Sequence, residues 1–246
     1  NSGSPFAQWE RGSVWAKGKY LWIAESDDAC ALDMLALHVA ALERNEKAVM
    51  AYSHSHLVDE KGSFLRDFRE DYGFIFGDAS RWKSDFTVEG KVEVAGSIIF
   101  SNTIPNASGV LFRKSVFDQV GGFNTTLPGV LGTLRIGGEG KELFYKVIGL
   151  GEEIYYDPNI IVYHVVETSK LTKEYLYRVA SGIGRGERIR TLSISSFSYT
   201  MKLIEYCFKL GAAVVLGIKY AIMGKAAQSW KVIQFRIDAM LGLLNR

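Results

Sequence analysis

The stretch Tyr20-Leu21-Trp22-Ile23-Ala24-Glu25-Ser26-Asp27-Asp28 decides how the chain is read. Five largely apolar residues, rich in β-formers, run straight into two adjacent aspartates. From Ala29 to about Asn45 apolar residues recur at helical spacing, at Leu32, Leu35, Val39 and Leu42. The pattern predicts a buried strand, an acidic tip and a helix. In open α/β sheets ligands sit beyond the carboxyl ends of the strands, where Asp27 and Asp28 emerge. Two carboxylates there suit a hard divalent cation, which shares its oxygen ligands with a substrate's phosphates. The competing reading is that Asp28 only caps the helix that follows, a place acidic residues favour.

Outward from this stretch, the composition describes one globular unit with an appendage. With 246 residues, 48% of them hydrophobic, the chain can bury a full core. The net charge of +2 hides an asymmetry. Residues 170–246 carry 13 Lys and Arg against 4 Asp and Glu, whereas residues 1–169 carry 16 against 23. The expected organisation is therefore a body over 1–169 and a basic, amphipathic helical extension over 170–246. Cys30 and Cys207 lack disulfide-like spacing, so free thiols in a reducing, cytoplasmic setting are expected. The longest uncharged apolar run near the end, Leu210 to Ile218, is far short of the ~20 residues a membrane span requires.

Other segments can be placed from local pattern. A helix is expected over Phe6–Ala16, with Trp9 and Trp15 as core or lid packing. A strand is expected over Ala48–Leu57, ending in a turn at Val58–Gly62. His54 and His56 fall on one face of it. Two imidazoles at that spacing can ligate a metal, but no third ligand lies nearby in sequence, so a solvated edge face is expected. Residues 63–90, polar and rich in aromatics, read as an insertion or lid. A helix over Glu93–Ser101, a strand over Gly109–Arg113, a helical turn over Lys114–Val120 and a stop at Gly121-Gly122 follow. A Gly-rich loop is expected over Asn124–Gly137, and an amphipathic helix over Glu139–Gly149. Two short strands, Glu152–Tyr156 and Ile160–His164, are expected around an Asp157-Pro158-Asn159 turn.

From Leu171 a helix runs into Gly182-Ile183-Gly184-Arg185-Gly186. This cluster does not follow a strand and lacks the spacing of a dinucleotide loop. With Arg178, Arg185, Arg188 and Arg190 it reads as a flexible basic element beside an anionic substrate, or else as a solvated basic face. Two final helices, 197–222 and 226–244, have apolar faces interrupted by lysines. They suit an anionic membrane surface or, alternatively, a packed hairpin.

Several motifs, taken in order, resemble the family 2 glycosyltransferases of GT-A fold. Asn1-Ser2-Gly3 through Ala16-Lys17-Gly18-Lys19-Tyr20 leads to Ser26-Asp27-Asp28, the position of that family's metal-binding acidic motif. Pro105-Asn106-Ala107-Ser108 with Phe112-Arg113-Lys114, Val120-Gly121-Gly122-Phe123, Gly138-Glu139, Tyr156-Asp157-Pro158 and Val162-Tyr163-His164 follow. The resemblance covers about residues 1–190. It implies an α/β fold, a GT-A-like mixed sheet flanked by helices. The chain begins without Met and without the first nucleotide-binding strands of that fold, so it reads as an N-terminally truncated fragment, inactive by itself.

The same resemblance implies a set of roles. Asp27 and Asp28 would hold Mg²⁺ or Mn²⁺ on the donor diphosphate, with His164 beside them. Asn106 and Ser108 would contact sugar hydroxyls, although both residue types also serve turns. Relatives place the acceptor base at the Asp of Glu-Asp, but here the pair is Glu139-Gly140, so Glu139, or Glu142 a turn later, takes the role. Arg185, read from the basic element above rather than from the resemblance, would join the donor-binding groups. The expected partners are a nucleotide-sugar donor, a saccharide or lipid-linked acceptor, and a membrane surface at the inner face, with no nucleic acid. The Gln-x-x-Arg-Trp signature of processive members is absent, which argues against a polymer synthase. The expected activity is metal-dependent, inverting sugar transfer. The alternative is a non-catalytic GT-A-like module that binds membrane or a partner.

Overall fold

A computed structural model describes residues 5–70, 78–93, 103–123, 125, 130–131, 134–135, 143–144, 146–147, 149–150, 152–167, 170 and 172–245. The chain divides into two compact units. One holds Ala7–Asn124 and Gly140–Thr168, and the other holds Asn1–Phe6, Thr125–Glu139 and Ser169–Arg246.

The first unit is built on two long parallel strands, β3 (Ala48–Val58) and β9 (Glu153–Val165). Their shared edge is paired from Ala48↔Glu153 to Val58↔Val165, with register shifts on the way, and each outer edge carries two shorter antiparallel strands end to end. On β3 these are β6 (Val110–Arg113) and β4 (Phe64–Asp67). On β9 they are β5 (Phe86–Glu89) and β2 (Asp28–Cys30). Strand β1 (Tyr20–Trp22) closes the β6 edge, in the order β1-β6-β3-β9-β2. Nearly every residue of β3 is buried, as a central strand covered on both faces requires.

Helix α2 (Met34–Arg44) packs on one face through Met34, His38, Ala41 and Leu42, one stripe of a 3.6-residue period. Leu42 joins Ala48, Ala51 and Leu111 in one apolar cluster, and Met34 joins Ile160 and Val162 in another. Arg113 ties the helix end to the sheet. Its guanidinium donates to the carbonyls of Ala48, Leu42 and Asn45 at 2.8, 2.5 and 3.1 Å. Elsewhere in the unit Phe112 packs on Phe117 and Phe144, with ring centroids 5.7 and 6.3 Å apart. Helix α1 (Pro5–Trp15) lies where expected. Its Trp9 packs on Phe123 at 5.3 Å, while Trp15 is exposed. After helix α3 (Lys114–Gln119), Gly121 and Gly122 adopt φ of 75° and 60°, so the stop needs glycine.

Several local expectations are corrected. The residues after the acidic tip form strand β2, and α2 starts only at Met34, because Asp28–Cys30 pairs with the open edge of β9. Residues 63–90 are not simply a lid: β4 and β5 from that segment complete the sheet. Asp157-Pro158-Asn159 does not end one strand and begin another. The register passes from Ser53↔Asp157 to His54↔Ile161, so the segment is a bulge within one strand. The backbone N–H of Asn159 donates to Asp157 Oδ1 at 2.8 Å and fixes it. The Gly-rich segment contains the short antiparallel pair β7 (Val130–Leu131) and β8 (Leu134–Arg135). Among the described residues of the helix expected over Glu139–Gly149, Leu143, Phe144 and Val147 are helical and buried. Most of the helix expected over Glu93–Ser101 lies outside the described residues.

The second unit is built largely from three helices, α4 (Lys173–Ile194), α5 (Ser196–Ile222) and α6 (Ala226–Leu244). Ala180, Tyr206, Ala239 and Leu243 form its core. The Gly182–Gly186 cluster is not a flexible loop but the interior of α4, where it crosses α6. A Cβ on Gly184 would lie 1.9 Å from the Ala239 carbonyl oxygen, and one on Gly242 would lie 2.0 Å from that of Ser181. Glycine here lets two backbones touch. Ser195, extended, separates α4 from α5, and its hydroxyl accepts from Ser198 N–H at 3.1 Å as an N-cap. No helix among the described residues is long and apolar enough to cross a membrane.

Candidate functional site

The acidic tip emerges between β1 and β2, and its geometry follows from the sheet register. Asp28 stands opposite His164 on the β2–β9 pair. Directly paired residues share a face, so the imidazole meets the carboxylate, with Nδ1 at 2.7 Å from Oδ1. Asn106, just before the 3₁₀ turn Ala107–Gly109, donates from Nδ2 to Asp28 Oδ2 at 3.2 Å. The Asp28 side chain is 2% exposed.

A second set of contacts holds the loop ahead of Asp28. Ser108 Oγ accepts from the Glu25 N–H at 3.1 Å, and Trp22 Nε1–H donates to the Ser108 carbonyl at 2.7 Å. Ser55, on β3, donates to Asn106 Oδ1 at 3.4 Å. Asp27 is exposed at the same tip.

The electrostatics are those of crowded carboxylates beside one imidazole. Burial, then the neighbouring Asp28 and Asp27 charges, push the Glu25 carboxyl above its ordinary value. Burial acts on Asp28 in the same sense, but the hydrogen bond and charge of His164 outweigh it and hold that carboxyl low. The hydrogen bond to Asp28 raises His164 in turn, against the opposing effect of burial. Glu25, Asp27 and Asp28 lie on one short loop, and carboxylate oxygen is the donor type a hard divalent cation takes. His164 keeps its second ring nitrogen on the side away from Asp28. By chemical type these donors suit Mg²⁺ or Mn²⁺, but among the described residues the one group of three such side chains whose ligand atoms lie within 4.8 Å of one another is elsewhere.

Five of the residues singled out in the sequence, Asp27, Asp28, Asn106, Ser108 and His164, gather in this cluster. Asn106 and Ser108 spend hydrogen bonds on Asp28 and Glu25. Asp28 does not cap α2: the N-cap position belongs to Asp33, which makes no side-chain capping bond. Arg185 belongs to the other unit, where its guanidinium donates to the Asn245 carbonyl. Glu139, Gly140 and Glu142 lie outside the described residues. Sequence pattern alone passes over Glu25, Trp22 and Ser55. Glu25 is legible as a third carboxylate two residues before Asp27, whereas Trp22 and Ser55 act through partners distant in sequence.

Two solved structures are similar to this chain. The structure of Staphylococcus aureus TarS residues 1–349 in complex with UDP is 16% identical, with a TM-score of 0.47. That match covers 75% of this chain and 45% of TarS. The structure of GalNAc-T7 with UDP, GalNAc and Mn²⁺ is 14% identical, with a TM-score of 0.43 over 76% of this chain and 37% of the other. The chain thus spans less than half the length of either structure. No curated protein sequence matches it. Residues 2–149, more than half of the chain and the segment that carries Asp27, Asp28, Asn106 and Ser108, match the family described as "Glycosyltransferase like family 2". The chain belongs to that glycosyltransferase family, with a GT-A-like α/β fold.

Proposed function

We propose that this chain is the catalytic portion of an enzyme that transfers a hexose-type sugar, with inversion, from a nucleotide-diphosphate donor to a saccharide or lipid-linked acceptor. The observation that carries the reading is the convergence of Asp28, His164 and Asn106 beside the exposed Asp27. Asp27 and Asp28, with His164, would hold Mg²⁺ or Mn²⁺, which when bound neutralises the charge of the departing diphosphate. The chain's own residues do the positioning. His164 and Asn106 fix the Asp28 carboxylate, and Ser108 and Trp22 brace the loop on which it sits. Glu139 would stand in as acceptor base for the Asp that relatives carry at the position of Gly140.

The second unit supports an accessory reading, docking on an anionic membrane. Along α5 the residues Phe197, Met201, Ile204, Phe208, Val215 and Ile222 recur at helical spacing and are all exposed. The excess of Lys and Arg over 170–246 complements anionic headgroups.

Calorimetry with UDP, GDP and dTDP, with and without Mn²⁺, tests the transferase reading, followed by donor turnover in the full-length protein and its Glu139→Gln variant. Mn²⁺-dependent binding of one nucleotide and loss of turnover in the variant support it. Failure of every nucleotide to bind would favour the non-catalytic module.

A further inference from the structure

Outside the Asp28 cluster, a second group of metal-ligating side chains stands on β3 and β4. His54 and His56 alternate on β3, and Asp67 lies directly opposite His56 on β4. Sequence alone suggests a solvated edge without a third ligand. The structure corrects both points: His54 is 1% exposed, and β4 supplies Asp67. One nitrogen from each imidazole and one carboxylate oxygen all lie within 4.8 Å of one another.

The hydrogen bonding around His54 points its lone pair into this group. The Tyr156 hydroxyl lies 3.1 Å from His54 Nδ1 and 3.3 Å from the Trp82 carbonyl oxygen, and when its proton goes to Trp82 its oxygen accepts from His54 Nδ1–H. That tautomer leaves Nε2 as a bare acceptor. Nε2 is buried and lies 2.8 Å from Asp67 Oδ1, close enough to pair with it but out of line for a well-formed hydrogen bond. A cation ligated by both atoms would satisfy Nε2, which otherwise faces a carboxylate at that distance only with a proton of its own.

The rest of the arrangement is that of a supported metal site. The Arg69 guanidinium donates to Asp67 through Nε and Nη2, at 2.9 and 2.5 Å to Oδ2, and the Arg69 backbone N–H donates to Oδ1 at 2.7 Å. Outer hydrogen bonds of this kind, like that from His54 Nδ1 to Tyr156, orient ligands. Tetrahedral ligand atoms at ~2.1 Å from an ion stand roughly 3.4 Å apart. Asp67 Oδ1 lies 2.8 Å from His54 Nε2, and its other oxygen, Oδ2, lies 3.9 Å from His56 Nε2. Imidazoles with one carboxylate suit a borderline ion better than Mg²⁺.

We propose that His54 Nε2, His56 Nε2 and one oxygen of Asp67 form a zinc-type divalent metal site, separate from the Asp28 cluster. The register keeps the two apart. His56 pairs with Tyr163 and Leu57 with His164, so His56 and the Asp28–His164 pair stand on opposite faces of the sheet. Three protein ligands leave a fourth position for water. The ion would pin the four-residue strand β4 to β3.

The test uses the whole chain, stripped with a chelator and titrated with Co²⁺ and then Zn²⁺. One equivalent of Co²⁺ should give visible d–d absorption that one equivalent of Zn²⁺ removes, and Zn²⁺ should raise Tm. His56→Gln and Asp67→Asn should each weaken Zn²⁺ binding at least tenfold, whereas Asp28→Asn should leave it unchanged. The Co²⁺ spectrum of the unaltered chain needs no variant to fold. Absence of that spectrum, equal Zn²⁺ affinity in His56→Gln, or loss of the site in Asp28→Asn would each overturn the proposal.

Discussion

Asp28 and His164 are 136 residues apart in sequence and face each other across the β2–β9 pair, joined by a 2.7 Å hydrogen bond. This contact makes Asp28 a structural residue as well as a candidate ligand. Asp28→Ala should remove Mn²⁺-dependent nucleotide binding. It should also cost about 1–3 kcal/mol of stability, because it leaves His164 and Asn106 without their shared partner. Chemical denaturation beside calorimetry separates the two effects. A variant that binds nucleotide as the parent does would remove Asp28 from the proposed ligand set.

Asp27 offers the complementary case. Its carboxylate is exposed at the same tip. Asp27→Ala should therefore weaken Mn²⁺-dependent nucleotide binding at least tenfold while costing less stability than Asp28→Ala. An equal loss of stability in both variants would mean that the tip is held together as one structural unit.

His38 makes the fold sensitive to acid. It is fully buried on α2 with neither ring nitrogen hydrogen-bonded, and burial, partly opposed by the Asp157 charge, pushes its pKa down from 6.5 to about 4. Between those values the unfolded chain takes up a proton that the folded chain refuses. The stability linked to His38 is therefore complete above pH 6.5, falls by about 3 kcal/mol as pH drops to 4, and then levels off. His38→Leu should flatten the dependence over that window. Urea midpoints measured at about pH 7 and pH 4.5, either side of the ordinary histidine value, check this for both proteins. Parallel losses would place the acid sensitivity elsewhere.

The cluster at the tip was legible because its residues sit at motif positions. Asp27 and Asp28 follow an apolar strand, and His164 closes another such run. What could not be read was pairing. Local pattern makes Asp28 a helix cap, whereas the open edge of β9 draws Asp28–Cys30 into a strand, a long-range competition that no window of sequence contains. The same holds for the bulge at Pro158, where a turn signal is overridden because both flanking runs pair with β3. His54 and His56 look solvent-facing in sequence because Asp67, their carboxylate neighbour, is reached only through the β3–β4 hairpin. The Gly182–Gly186 segment reads as flexible until α6 is seen lying against it.

That crossing gives a prediction of its own. A methyl group on Gly184 would stand 1.9 Å from a backbone oxygen of α6, and backbone cannot rotate away as a side chain can. Gly184→Ala should destabilise the helical unit by about 1–3 kcal/mol, even though alanine favours a helix more than glycine does. Gly211→Ala on α5, where nothing stands within 4 Å of the added carbon, should be neutral or stabilising. Gly184→Ala should lower Tm while Gly211→Ala does not, and an equal fall in both would refute the close contact.

The α5 stripe separates membrane docking from packing against a partner. Phe197 and Phe208 are 74% and 76% exposed, and they lie 11 residues, about three helical turns, apart on one face. Burying one such ring in a bilayer interface is worth roughly 1.5–3 kcal/mol, so Phe208→Glu should lower partitioning at least tenfold. Lys209 and Lys202 each pair with Glu205, at 2.5 and 2.6 Å, so some of the local basic charge is already neutralised. The attraction to headgroups must then come from the wider excess of Lys and Arg over 170–246. Vesicles rich in phosphatidylserine should sediment the protein at low salt and release much of it at high salt, where exposed charges are screened. The apolar contribution should survive that screening and vanish in Phe208→Glu. Equal binding to neutral and anionic vesicles would remove the electrostatic element of the reading. No binding to either, with a concentration-dependent dimer abolished by Phe208→Glu, would assign the stripe to a second copy of the chain instead.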